Sequence, residues 1–142
     1  MDGLCAAPVY ETEPLEGAGP QLFLNTVARG RTVLEAMVLL ERLNAIEVDL
    51  GRQREPGAGR SPRTIDIDVL LYADSVRDDV RLTLPHPRMH VRRFVLAPLL
   101  DLAPTLADPR SGRPYRSWLQ ELPGQGVLPF RTSPVAYARA RS

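Results

Sequence analysis

Apolar residues recur at intervals of three and four from Ala36 through Leu39, Leu40, Leu43, Ile46 and Leu50, the spacing that lays one stripe of a helix against a core. Thr32 with Glu35 three positions on has the form of a capping box, and Gly51 stands where such a helix closes. A helix over 32–50 is predicted. Residues 63–72, RTIDIDVLLY, follow another period: Ile65, Ile67, Val69 and Leu71 share one side, and Thr64, Asp66, Asp68 and Leu70 share the other, as in a half-buried strand. Residues 22–29 alternate in the same way, and Gly30 ends that run. Ala73-Asp74-Ser75 reads as a turn, after which 80–84 is a plausible antiparallel partner for 63–72 until Pro85-His86-Pro87 breaks it. Residues 92–102 form an apolar helical segment in which Pro98 either kinks the helix or opens a second turn, and 117–122 is a short helical candidate. Val9-Tyr10 is a short extended piece before a loop rich in Pro and Gly.

At 142 residues the chain has the size of a single domain with one core, and 44% hydrophobic residues suffice to build it. Ten Gly and fourteen Pro predict long, stiff connections, and 52–62, RQREPGAGRSP, predicts a mobile basic loop. No apolar run approaches a membrane span, and the first twenty residues lack a basic start followed by an apolar block, so a soluble cytoplasmic protein is expected. Cys5 stands alone, which excludes an intrachain disulfide or a cysteine-built zinc site and leaves oxygen ligands for any metal.

Eighteen positive against seventeen negative side chains give a net charge of +1, which argues against a general binder of polyanions. Every one of those cations is Arg. A P-loop lysine and a Schiff-base lysine are therefore excluded, and phosphate recognition has to run through guanidinium forks.

The informative constellation is Arg52-x-Arg54, a loop, Arg63, Asp66-x-Asp68, then His86 and Arg92. Side chains at i and i+2 of a strand project to the same side about 6.5 to 7 Å apart, so the two carboxylates address one small volume. Alone, such a pair reads as the polar side of a solvated strand. The apolar continuation at Leu70 and the arginine cluster favour a site, because Mg²⁺ takes one or two carboxylates and completes its shell with water and phosphate oxygens. Arg52 and Arg54 equally suit the solvated end of the preceding helix, where cations favour the dipole. Glu47, one turn inside that helix, reads as a surface residue, a partner for an arginine or a nucleotide contact. His86, held between two prolines, suits a structural hydrogen bond or a phosphate contact. Phe23 and Phe94 read as ordinary core, and Asn25 as an ordinary polar residue.

Taken together, V-Y-E-T-E-P-L, F-L-N, R-x-R, the Gly-rich loop, P-R-T-I-D-I-D-V-L-L-Y and L-P-H-P-R-M-H-V-R-R-F-V-L-A-P-L resemble the 6-hydroxymethyl-7,8-dihydropterin pyrophosphokinase family, from about Pro8 to about Leu122. The resemblance implies an α+β, ferredoxin-like sandwich with a mainly antiparallel sheet and helices packed on it. It implies transfer of pyrophosphate from ATP to the hydroxymethyl oxygen of the pterin, releasing AMP, with loop 52–62 closing over the bound substrates. Asp66 and Asp68 would then hold two Mg²⁺ ions, and Arg52, Arg54, Arg63, His86 and Arg92 would serve the triphosphate and the catalytic loop, Glu47 standing with the ATP contacts. Asn25 would pair with the pterin edge, Phe23 and Phe94 would sandwich its ring, and Thr12 and Leu15 would border it. Two flat faces and an amide suit a flat heterocycle.

Three departures from the family pattern stand out. The segment between Arg54 and Arg63 is one residue longer, with Arg60 where an aromatic is usual. Ser61 replaces a Gly. The familiar first strand, its Gly-Ser-Asn segment and the helix after them do not precede 1–142, so the expected domain is an N-terminally shortened one with 123–142 as a loose tail. The expected partners are ATP and the pterin, with no nucleic acid and no membrane, and the expected state is a monomer. Two alternatives remain: a non-catalytic nucleotide-binding remnant of the same fold, and a small Arg-rich RNA-binding module.

Overall fold

The structure, a computed structural model, describes residues 2–12, 23–51, 65–123 and 127–129; the side chains of Thr12, Phe23 and Val127–Pro129 fall outside that description. Its elements are β1 (Asp2–Ala6), β2 (Tyr10–Thr12), β3 (Phe23–Asn25), β4 (Ala28–Arg31), α1 (Ala36–Asp49), β5 (Arg77–Asp78), β6 (Thr83–Leu84), α2 (Arg93–Leu102), α3 (Tyr115–Glu121) and β7 (Val127–Pro129), with a 3-10 turn at Met89–Val91. The sheets are antiparallel throughout, so the chain is of the α+β class. Two compact units are present, one of Met1–Thr32 with Pro87–Ser142 and one of Val33–His86.

In the first unit β1 pairs with β4, Asp2 opposite Arg31 and Ala6 opposite Ala28, and the register shifts between Asp2 and Cys5. Gly3 lies in that shift with φ of 63°, a conformation that L side chains rarely adopt. A second sheet runs β3-β2-β7, with Tyr10 opposite both Asn25 and Pro129. The run 22–29 is therefore not one strand. The chain leaves one sheet at Asn25 and enters the other at Ala28, because Val27 turns into the interior and the Thr26 hydroxyl donates to the Ala7 carbonyl at 2.9 Å. Gly30 does not end the run either, since β4 continues to Arg31.

Pro98 sits inside α2 and the helix continues past it, burying Leu96, Pro98 and Leu99. Helix α2 packs on the 3-10 turn, on α3 and on β2, β4 and β7. The predicted helix at 117–122 begins two residues earlier, at Tyr115, whose ring is buried. Trp118 on α3 gathers Tyr115 and His90 at ring-centroid distances of 5.5 and 5.4 Å, and the Arg113 guanidinium lies 4.3 Å from its ring centre.

In the second unit the helix over 32–50 starts at Ala36, and its cap is Glu35 rather than Thr32. Glu35 is extended, and its carboxylate accepts from Met37 N at 3.0 Å, which satisfies one of the free donors of the first turn. At the other end Gly51 N donates to Val48 O at 3.1 Å with φ of 103°, the conformation the glycine was expected to supply. The apolar stripe is buried only in its first half: Ala36 and Leu39 are interior, while Ile46 and Leu50 are exposed. Ala36, Leu82 and Leu84 form the core of this unit, with Met37, Leu40, Val69 and Tyr72 packed against them.

Among the described residues, 80–84 form no strand pairing with 65–72. Instead β6 folds back on β5, Leu84 opposite Arg77, around a turn in which Asp79 and Leu82 exchange main-chain bonds at 3.2 Å. The Asp79 carboxylate accepts from Arg81 N at 3.0 Å, and its carbonyl accepts from the Thr83 hydroxyl at 3.1 Å. These local bonds hold the hairpin closed on itself. No strand forms over 65–72 among the described residues; His86 N donates to Leu70 O at 2.8 Å, and the turn at 73–75 closes by Ser75 N to Tyr72 O at 3.0 Å.

Candidate active site

The second unit carries the acidic pair. Exposure alternates along the chain there: Ile65, Ile67 and Val69 are half-buried, and Asp66 and Asp68 are exposed. The two isoleucines and the valine anchor the segment, and both carboxylates are left on the solvent side. No group of three or more His, Cys, Asp or Glu side chains able to hold a metal occurs among the described residues. Two exposed carboxylates are donors of the kind Mg²⁺ takes, an ion that keeps water and phosphate in its shell. His86 is half-buried, and its N–H bond to Leu70 O ties it to the same segment. Glu47 is 1% exposed and is the buried charged residue among those described; α1 holds it against the fold rather than in solvent. Arg52, Arg54 and Arg63, with the whole of loop 52–62, lie outside the described residues.

The first unit carries the residues that the resemblance assigns to the pterin. Thr12 and Phe23 are register partners across β2 and β3, and Asn25 is the partner of Tyr10 two places along, so three of the five fall on a single ladder. Leu15 lies outside the described residues. Phe94 is in the first turn of α2, half-buried, with the Arg92 guanidinium 5.6 Å from its ring centre, a distance at which the cation is attracted to the ring face.

One pair escaped sequence reasoning. The Tyr10 hydroxyl donates to the Asp101 carboxylate, joining β2 to α2 across 91 positions of chain. Burial, then the hydrogen bond and the negative charge of Asp101, push the Tyr10 phenol up to about 12. No spacing or motif signals a contact of that separation.

Residues 2–104 match 7,8-dihydro-6-hydroxymethylpterin-pyrophosphokinase (HPPK), and the chain belongs to that family. It is 41% identical over 124 residues to the 2-amino-4-hydroxy-6-hydroxymethyldihydropteridine pyrophosphokinase of Pseudomonas aeruginosa, covering 87% of this chain and 75% of that one. The namesake from Synechocystis is 39% identical over 107 residues, 75% of this chain and 54% of that one. The folic acid synthesis protein fol1 of Schizosaccharomyces pombe is 40% identical over 124 residues, 87% of this chain and 17% of that much longer protein. The chain thus spans only part of the relatives it matches.

Proposed function

We propose that the chain is a 2-amino-4-hydroxy-6-hydroxymethyldihydropteridine diphosphokinase of folate biosynthesis, acting as one domain and as a monomer in the cytoplasm. The hydroxymethyl oxygen of 6-hydroxymethyl-7,8-dihydropterin forms a bond to the β-phosphorus of ATP. The bond from that phosphorus to the bridging oxygen of the α-phosphate breaks, AMP leaves, and the hydroxyl proton passes to solvent. Such a transfer asks the protein for alignment and charge neutralisation rather than a covalent intermediate.

The observation that carries the reading is the exposure of Asp66 and Asp68 together on a chain of this family. They are the residues that would hold two Mg²⁺ ions, whose chemistry is to offset the negative charge of the triphosphate. In this reading Arg52, Arg54, Arg63, His86 and Arg92 bind the phosphates, and Glu47 stands with them from within α1. Thr12, Leu15, Phe23, Asn25 and Phe94 receive the pterin. Neither nucleic acid nor membrane is required, and no helix among the described residues is long and apolar enough to cross a membrane.

The test is release of AMP from ATP by the purified chain, with the pterin and Mg²⁺ each omitted in turn. Dependence on both supports the reading. ATP binding without AMP release refutes it in favour of a nucleotide-binding remnant.

A further inference from the structure

The Tyr10–Asp101 bond lies between two elements that the proposed function makes partners. Tyr10 is the register partner of Asn25. Asp101 is seven residues beyond Phe94 on α2, which is two turns, about 10.5 Å along the axis and close to the same side of the helix. The bond to Tyr10 therefore faces Asp101, and with it the side bearing Phe94, toward β2, on which α2 packs.

Two features of α2 make that bond matter. Pro98 stands midway and has no N–H to donate to the Phe94 carbonyl, so the turn carrying Phe94 lacks one of its own main-chain bonds. Asp101 falls in the last turn, where a carboxylate opposes the helix dipole. A donor from outside the helix offsets that cost. Arg29 supplies a second one, its Nη1 donating to Leu102 O at 3.1 Å. Because the Tyr10 phenol is raised well above neutrality, it remains a donor across the working pH range.

We infer that Tyr10 and Asp101 are a positioning pair for pterin recognition: their bond holds α2, the carrier of Phe94, at a set distance from the β2–β3 ladder, the carrier of Asn25. The inference rests on the assignment of Asn25 and Phe94 to the pterin. It concerns the heterocycle alone, since neither residue is placed with the phosphates.

The experiment uses the full chain with Tyr10→Phe, Asp101→Ala, Asp101→Asn and the double variant Tyr10→Phe/Asp101→Ala. Tyr10→Phe and Asp101→Ala are each expected to raise KM for the pterin ~5- to 10-fold, the loss of about one hydrogen bond. KM for ATP and kcat stay within about twofold in that outcome, a split that general destabilisation does not produce. Asp101→Asn, which keeps an acceptor oxygen, restores most of the pterin affinity. The double variant behaves like either single one, because both remove the same bond. Equal shifts in both KM values, a loss confined to kcat, or no change overturns the inference. Fluorescence titration with 6-hydroxymethylpterin in the absence of ATP separates this result from the activity itself. Should the wild-type chain bind the probe without making AMP, the proposed activity fails, and the pair stands or falls on whether Tyr10→Phe weakens that binding. Absence of probe binding by a wild-type chain that also makes no AMP overturns both.

Discussion

Arg77 Nη1 lies 2.9 Å from one oxygen of the Glu35 carboxylate, while the other oxygen accepts from Met37 N at 3.0 Å. A single side chain thereby caps α1 and ties the β5–β6 hairpin to it. The hydrogen bond from Arg77 is the chief influence on this carboxyl and lowers its pKa; some desolvation opposes, and the Met37 and Val38 N–H groups and the Arg77 charge assist.

A lowered folded-state pKa contributes stability that is complete above the ordinary glutamate range and is lost as pH falls through the folded value. Glu35→Gln keeps a cap acceptor and removes the charge. Its melting temperature is expected to lie below that of the wild type at neutral pH and to converge with it in acid, as followed by circular dichroism. A constant offset across the whole pH range would show that the charge contributes nothing.

Because Asp66 and Asp68 are exposed, changing either to Asn is expected to remove a proposed metal ligand without disturbing the core. Each substitution is expected to lower AMP formation by about two orders of magnitude or more, with stability in urea unchanged to within about 0.5 kcal/mol. A variant retaining the wild-type rate would remove that residue from the proposed site.

Leu84 is 0% exposed in the core with Ala36 and Leu82, whereas Val80, four residues earlier in the hairpin turn, is 105% exposed. Leu84→Ala is expected to cost about 2 to 5 kcal/mol through lost burial and the cavity left behind. Val80→Ala is expected to stay within about 0.5 kcal/mol. Urea unfolding of the two variants provides the comparison, and equal effects would contradict the placement of this core.

Tyr10 and Tyr115 both titrate late. Burial comes first in each case, followed by Asp101 for Tyr10, which reaches about 12 from an ordinary 10.0, and by Asp108 for Tyr115, which is raised further. A raised folded-state pKa means that stability is intact below the ordinary value and is lost as pH rises toward the folded one. Two of the four tyrosines are expected to ionise only at strongly alkaline pH, with the fold weakening over the same interval. In Tyr10→Phe the tyrosinate absorbance should show one late transition fewer.

Properties carried by neighbouring residues were readable in the linear chain. The period of 36–50 marked α1, the apolar block at 92–102 marked α2, and the alternation at 65–69 put Asp66 and Asp68 on the solvent side before any partner was known. The family motif rests on such contiguous runs, which is why it too could be recognised. The turn at 73–75 belongs to the same local order.

Choices between distant partners were not readable. The division of 22–29 between two sheets depends on Ala7, the pairing of 80–84 with β5 depends on competing hairpin bonds, and the cap at Glu35 rather than Thr32 is held in place by Arg77. The Tyr10–Asp101 bond joins residues 91 positions apart. Periodicity records how each residue's backbone repeats against its neighbours, and the amino acids alone specify that. Which segments meet depends on the free energy of whole alternative arrangements, and only the folded chain resolves it.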